Sequence, residues 1–265
     1  MLICINSSNR PDKQITLEQL SVIALSSTVL AIPVSQGPLY KKWNVKKLYI
    51  PNKHTDLPSQ RQYVMEHTYQ NRGDVNSVMF MDDDLTFLKR NKDMKLRKCS
   101  PKHVDKMLFR VMEELEQFPM VGVSTRLGNN RVKENHADIN RVTRCYALDV
   151  DTFFEVGAKF NPIPKFVMED FHLTLCWLNA GKPNRIIYDY AQNDIGSNAE
   201  GGCSLYRTAA IQKKTAQWMH ENHPEVKLKW KKGWKGMPER LDVVIGWKKA
   251  YKGKTKKPSG DRSWL

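Results

Sequence analysis

The chain has little of what marks a secreted or membrane protein. Its 265 residues include five cysteines, at positions 4, 99, 145, 176 and 203, an odd number at wide, unpatterned spacing. That excludes a dense disulfide framework and offers no paired-cysteine zinc motif, so reduced thiols are expected, with Cys4, Cys145 and Cys176 as small core residues. No segment approaches the roughly 18 consecutive apolar residues needed to span a bilayer. The first six residues lack both a basic n-region and the length of a signal h-region, so they read as a strand and the chain is expected in the cytoplasm. No internal repeat is present.

Acidic residues are also in deficit, 28 Asp and Glu against 43 Lys and Arg, for a net charge of +15. The imbalance is local. Residues 227–265 hold 13 Lys and Arg and 3 Asp and Glu, which places +10 of the +15 in the last 39 residues. Such asymmetry points to a polyanionic partner, nucleic acid first and an anionic membrane surface second.

What is present is an alternation of apolar runs and helical periods. Strands are expected over 3–5, 29–34, 46–51, 77–81, 121–124, 144–149 and 186–190, and helices over 59–69, 101–118, 151–157, 169–178 and 208–220, with a further helix opened by Thr16 as its N-cap. Val104, Met107, Leu108, Val111, Met112 and Leu115 recur at helical steps and form a core stripe. Residues 88–100 and 129–140 read as polar loops, and the Gly-bearing stretch 192–207 as a lid-like loop. This order implies an α/β domain over 1–226 with a largely parallel sheet, followed by a basic extension over 227–265.

Two acidic clusters stand out. The apolar run Ser77, Val78, Met79, Phe80, Met81 ends in Asp82, Asp83 and Asp84. Carboxylates at the carboxyl end of a buried strand lie where α/β sheets bind ligands, and they suit a divalent cation holding a phosphorylated substrate; an acidic turn is the plainer alternative. Glu169 and Asp170 open an apolar helix, where acids complement the helix dipole; the pair is also a candidate general base. His172, one turn further on, reads as core or as a residue behind the site.

The residues together resemble a glycosyltransferase of the GT-A fold, with its Asp-x-Asp metal motif and downstream Glu-Asp base motif, over roughly residues 1–210. Within that fold the small basic chain resembles the phage-type enzymes that glycosylate hydroxymethylated pyrimidines in DNA, which would put it in the host cytoplasm. The resemblance implies a GT-A-like (Rossmann-like) mixed, mostly parallel sheet flanked by helices. It implies that Asp82 and Asp84 hold Mn²⁺ or Mg²⁺ and that Asp83 faces the nucleotide ribose or sugar. Ser7, Ser8, Asn9 and Arg10 would line a nucleotide-sugar donor, a UDP-sugar, while Arg61 pairs with phosphate. Asp170 would be the base and Glu169 would orient the sugar. A third metal ligand is expected at Asn193 or Asp194, since the histidine that many relatives place after the last strand is missing.

The tail interleaves cations with aromatics: Lys229, Trp230, Lys231, Lys232, Trp234, Lys235, then Trp247, Lys248 and Lys249. Cations neutralise phosphates and aromatics stack on bases, so these residues are candidate DNA contacts; the tryptophans packing inward with the lysines solvated is the alternative. The leading expectation is transfer of a sugar to 5-hydroxymethylcytosine in DNA. A glycan or lipid-linked acceptor, or a non-catalytic nucleic-acid-binding role, are the competing readings.

Overall fold

The computed structural model describes residues 1–71, 73–130, 132–194, 206–233 and 239–253. Its centre is β1 (Leu2–Asn6), whose continuous apolar run is buried on both faces: Ile3 and Ile5 enter one core, Cys4 the other. After a short 3₁₀ turn come α1 (Val22–Ser26), β2 (Thr28–Pro33), β3 (Lys46–Ile50), α2 (Leu57–Asn71) and β4 (Ser77–Asp82). The strand β4 repeats the two-faced pattern, Met79 and Met81 on one side, Val78 and Phe80 on the other. Then follow β5 (Thr86–Arg90), β6 (Leu96–Lys98), α3 (Pro101–Leu115), β7 (Met120–Thr125), α4 (Arg126–Asn129), β8 (His136–Asp138), β9 (Cys145–Asp149), α5 (Val150–Glu155), α6 (Glu169–Asn179) and β10 (Arg185–Asn193).

These strands form a 10-stranded mixed sheet in the order β3-β2-β1-β4-β9-β7-β10-β5-β6, with β8 added beside β10. The strands β3, β2, β1 and β4 are parallel neighbours, β7 and β10 are parallel to each other, and β9 runs against both β4 and β7. Helices α1 and α3 cover one face through Ala24, Val104, Met107 and Val111, and α2, α5 and α6 the other through Val64, Phe153, Leu173 and Trp177. The chain leaves β1 toward β2 on one side, while β4 joins on the other. The β1/β4 boundary is therefore a switch point of the kind where α/β sheets bind ligands.

The remaining elements, α7 (Ala209–Asn222), β11 (Val226–Lys231), β12 (Arg240–Ile245) and α8 (Trp247–Ala250), build a third core against the outer side of α6. Phe166, Leu175 and Leu178 meet Met219, Leu241 and Val243 there. Helix α6 is apolar nearly all round because it lies between two cores. Gly181 ends it at φ +73°, and a Cβ there would come within 3.3 Å of Gly253, so the backbone just after α8 lies directly on the stop of α6. No helix among the described residues is long and apolar enough to cross a membrane.

Three sequence expectations are corrected. Residues 88–100 are largely the β5/β6 hairpin rather than a loop; its cationic residues mask a strand at the sheet edge, where charge is common. The stretch 129–140 contains the short edge strand β8. Thr16 does precede a helix, but only a 3₁₀ turn over Leu17–Gln19, and its side chain makes no cap bond there: the hydroxyl donates to the Asp82 carbonyl (2.6 Å) and accepts from the Leu85 N–H (2.9 Å), while Ser21 caps α1. The four described cysteines are free; burial pushes the Cys4 and Cys176 thiols up to about 12 and Cys99 to about 11, so they are inert core residues.

Candidate active site

The β1/β4 pairing places Asn6 directly opposite Asp82, so the loop after β1 and the three acids after β4 emerge side by side. The acidic turn is held from below. In addition to Thr16, the Gln19 side-chain amide donates to the Leu85 carbonyl (2.6 Å) and accepts from the Phe87 N–H (3.1 Å).

Each acid has its own partners. Asp83 is buried: its Oδ2 accepts from Ser7 Oγ (2.6 Å) and its Oδ1 from Arg10 Nη1 (3.0 Å), while Gln14 and Tyr40 fix Ser7 in turn. Burial outweighs these bonds and pushes the Asp83 carboxyl up to about 6. Asp84 receives the same Arg10 nitrogen at 3.0 Å. Asp82 Oδ1 accepts from Arg61 Nη2 (2.6 Å), and burial together with the adjacent Asp84 charge raises Asp82 although Arg61 opposes the shift.

Arg61 is the hub between the clusters. It is 2 % exposed and sits between the rings of Phe80 and Tyr146, 5.6 Å from each centre. Its Nη1 reaches across to Glu169 Oε1 (3.3 Å) and Tyr146 Oη (3.2 Å). Burial, then the Asp170 charge, raises Glu169 above the ordinary range. Asp170 Oδ2 accepts from Arg141 Nε and Nη2, at 3.0 and 2.5 Å. Arg141 and Arg144, the latter bonded to Asp194 at 2.8 Å, come from the loop before β9. Nothing in the local sequence marks them, because their carboxylates are 29 and 50 positions away.

All of these acids open into one cleft of about 760 Å³. Ser7, Ser8, Asn9 and Arg10 line one wall, Asp82 to Asp84 the floor, and Glu169 and Asp170 the opposite wall. Asp194 also lines it. Asn193 is drawn into the sheet opposite Thr86, so of the two expected third ligands it is Asp194 that reaches the cleft. Gln192 is buried behind it. Among the described residues no group of three His, Cys, Asp or Glu side chains converges to hold a metal by itself. The donor set still suits a hard cation: two carboxylates from one turn, Asp82 and Asp84, match ions that take one or two protein carboxylates and leave the other positions to phosphate and water.

The hairpin β11/β12 forms part of the rim. Lys231 and Arg240 line the cleft and both face Asp242, at 2.6 and 3.6 Å. Register puts Lys227, Lys229, Lys231 and Arg240 on one face and Leu228, Trp230, Leu241 and Val243 on the other. Trp230 is 56 % exposed, whereas Trp247 packs on Phe171 at 5.8 Å, so the two tryptophans differ in burial. Lys229, Lys232, Lys248 and Lys249 are exposed; Trp234 and Lys235 lie outside the described residues, as does most of the 192–207 stretch. His172 is core: it bonds His223 at 2.8 Å among Phe166 and Trp218, and burial lowers it to about 3.

A mixed α/β sheet with acids gathered at its switch point, facing a second acid pair on a helix start, defines a GT-A-like, Rossmann-like protein. Residues 1–202 match the model of the TET-Associated Glycosyltransferase family, and the chain belongs to that family. It is accordingly a glycosyltransferase of modified DNA bases. No curated protein matches its sequence.

Proposed function

We propose that the chain moves a sugar from a UDP-sugar to the hydroxyl of 5-hydroxymethylcytosine in DNA, with Mn²⁺ or Mg²⁺ as cofactor. The observation that carries this reading is the convergence of the two acidic clusters on one cleft whose rim is a cationic hairpin. The donor would lie along Ser7 to Arg10, with Asp83 on its ribose or sugar. A divalent ion held by Asp82 and Asp84, with Asp194 in the same cleft as a further carboxylate, would neutralise charge on the leaving diphosphate. Asp170 takes the acceptor proton, Glu169 orients the sugar, and Arg61 keeps Asp82 and Glu169 at fixed separation.

The chain beyond residue 226 serves the acceptor. Lys229, Lys231, Lys232, Lys248 and Lys249 supply phosphate contacts, and the exposed face of Trp230 offers a stacking surface. A base inside duplex DNA reaches such a cleft by groove insertion or by flipping out of the stack. The family assignment favours this acceptor over a glycan or a lipid-linked saccharide. The test is a donor screen read by mass spectrometry on hydroxymethylated and unmodified DNA, with and without chelator. A mass increase of one sugar on hydroxymethylated DNA alone, lost with chelator, is expected; transfer that ignores the hydroxymethyl group would overturn the acceptor, and transfer that survives chelation would overturn the cofactor.

A further inference from the structure

Both oxygens of Asp170 are engaged in this structure. Oδ2 accepts twice from Arg141, and Oδ1 accepts from the Phe171 N–H at 2.9 Å. Two of these three donors sit on Oδ2, so the guanidinium occupies the oxygen that an acceptor hydroxyl would have to reach. The group that must let go is Arg141, since the other donor is backbone.

Arg141 is placed to do so. It is more exposed than the arginines on the donor-side acids, 37 % against 2 % for Arg61 and 14 % for Arg10, and its Cζ lies 3.6 Å from the centre of the Phe171 ring. Its backbone, by contrast, is anchored. Asn184 clamps Asn140 on both sides, with bonds of 3.0 and 2.5 Å, and Thr174 of α6 accepts from the Val142 N–H. The loop turns through Ile139 at φ 59° and Arg144 at φ 55°, left-handed values that a β-branched residue rarely adopts. Such strain persists where the surroundings over-determine the backbone, as they do here, and it concentrates at sites that act.

We propose that Arg141 is a positioning residue that exchanges Asp170 for a backbone phosphodiester of the acceptor, so that the polyanion itself releases the base. This rests on the proposed DNA acceptor and on Asp170 as base. When a phosphate beside the target nucleotide takes the guanidinium, Asp170 Oδ2 is freed toward the hydroxymethyl group. The hydroxyl proton passes to Oδ2 and its oxygen forms the new bond to the anomeric carbon. The bond from that carbon to the donor diphosphate breaks, and the diphosphate leaves with the electron pair. An acceptor without a phosphate leaves the base locked, which is a specificity device for polymer over free nucleoside.

The experiment compares kcat/KM of the wild type, Arg141→Gln and Arg141→Lys on a hydroxymethylated oligonucleotide and on the free hydroxymethyl nucleoside, with one donor. The wild type should favour the oligonucleotide strongly. Arg141→Gln should lower the oligonucleotide-to-nucleoside ratio about 10- to 100-fold, the size of one charge-assisted hydrogen bond to phosphate, through a higher KM on the oligonucleotide and faster transfer to the nucleoside. Arg141→Lys should fall between. An equal loss on both acceptors, or an unchanged ratio in both variants, would overturn the exchange and leave the transferase reading standing. Wild-type transfer to neither acceptor would overturn the acceptor reading and the exchange with it. Donor binding measured by calorimetry in each variant separates a folded variant from a collapsed one.

Discussion

The two acidic clusters of the cleft are built by opposite means. Asp82 to Asp84 stand on a turn whose backbone is tied to Thr16 and Gln19, and their side chains meet Ser7, Arg10 and a fully enclosed Arg61. Asp170 stands on a helix start and is held chiefly by one half-exposed guanidinium from a loop. The donor side is thus part of the sheet, fixed before any ligand arrives. On the acceptor side the pair is open at one end only, the guanidinium 37 % exposed and the carboxylate 12 %, so an incoming anion can meet Arg141 from the solvent side.

The sharpest way to break this contrast is to remove an acid from each side. Asp84→Ala should abolish transfer, a loss of at least about 10³-fold, with DNA affinity unchanged in a fluorescence anisotropy titration. Asp170→Asn should lower kcat by about 10²- to 10⁴-fold while nucleotide-sugar binding by calorimetry persists. If instead Asp170→Asn were to abolish donor binding, the division into donor and acceptor sides would fail.

The arginines sharpen the comparison in stability. Arg61→Met leaves Asp82 and Glu169 buried without their partner and should cost about 3–5 kcal/mol in chemical denaturation. Arg141→Met should cost less, about 1–3 kcal/mol, because only the carboxylate of that pair is buried while the guanidinium already meets solvent. Similar losses in the two variants would argue that the loop arginine is as structural as the enclosed one.

Acid should act on the packing behind the acceptor side. His172 is held neutral by burial, lowered to about 3 from an ordinary 6.5, and His223 is lowered as well. The unfolded chain binds these protons first, so the contribution is complete above about pH 6.5 and is lost as pH falls toward 3. Unfolding free energy should decline over that window by up to about 1.4 kcal/mol per pH unit for His172, and the slope should flatten in His172→Gln. A slope unchanged by the substitution would place the acid sensitivity elsewhere. The smallest effect belongs to the rim: replacing Lys229 and Lys231 by Gln should reduce the salt dependence of DNA binding by about 0.9 in log-log slope for each phosphate no longer neutralised.

Much of the donor side was legible in the chain. Apolar runs buried on both faces identify β1, β4 and β9, and three acids after one of them mark a sheet edge. The base pair was visible as acids opening an apolar helix. The β5/β6 hairpin was not, because its edge strand, Leu96–Lys98, is three residues long with two cations and carries no hydrophobic period. Thr16 looked like a cap because Thr often is one; its hydroxyl instead spans to a turn 66 residues on. Trp230 and Trp247 sit in similar Lys-rich contexts, yet the first is 56 % exposed while the second packs on Phe171 of α6.

Sequence alone determined the α/β class, the two acid clusters and the basic tail, since these follow from local periodicity and composition. Only the tertiary structure decided which cation faces which acid, that Asp194 rather than Asn193 reaches the cleft, and that Arg141 occupies the base. Such pairings join residues 21 to 108 positions apart, from Arg61 with Asp82 to Arg61 with Glu169, and the folding of the sheet brings them together.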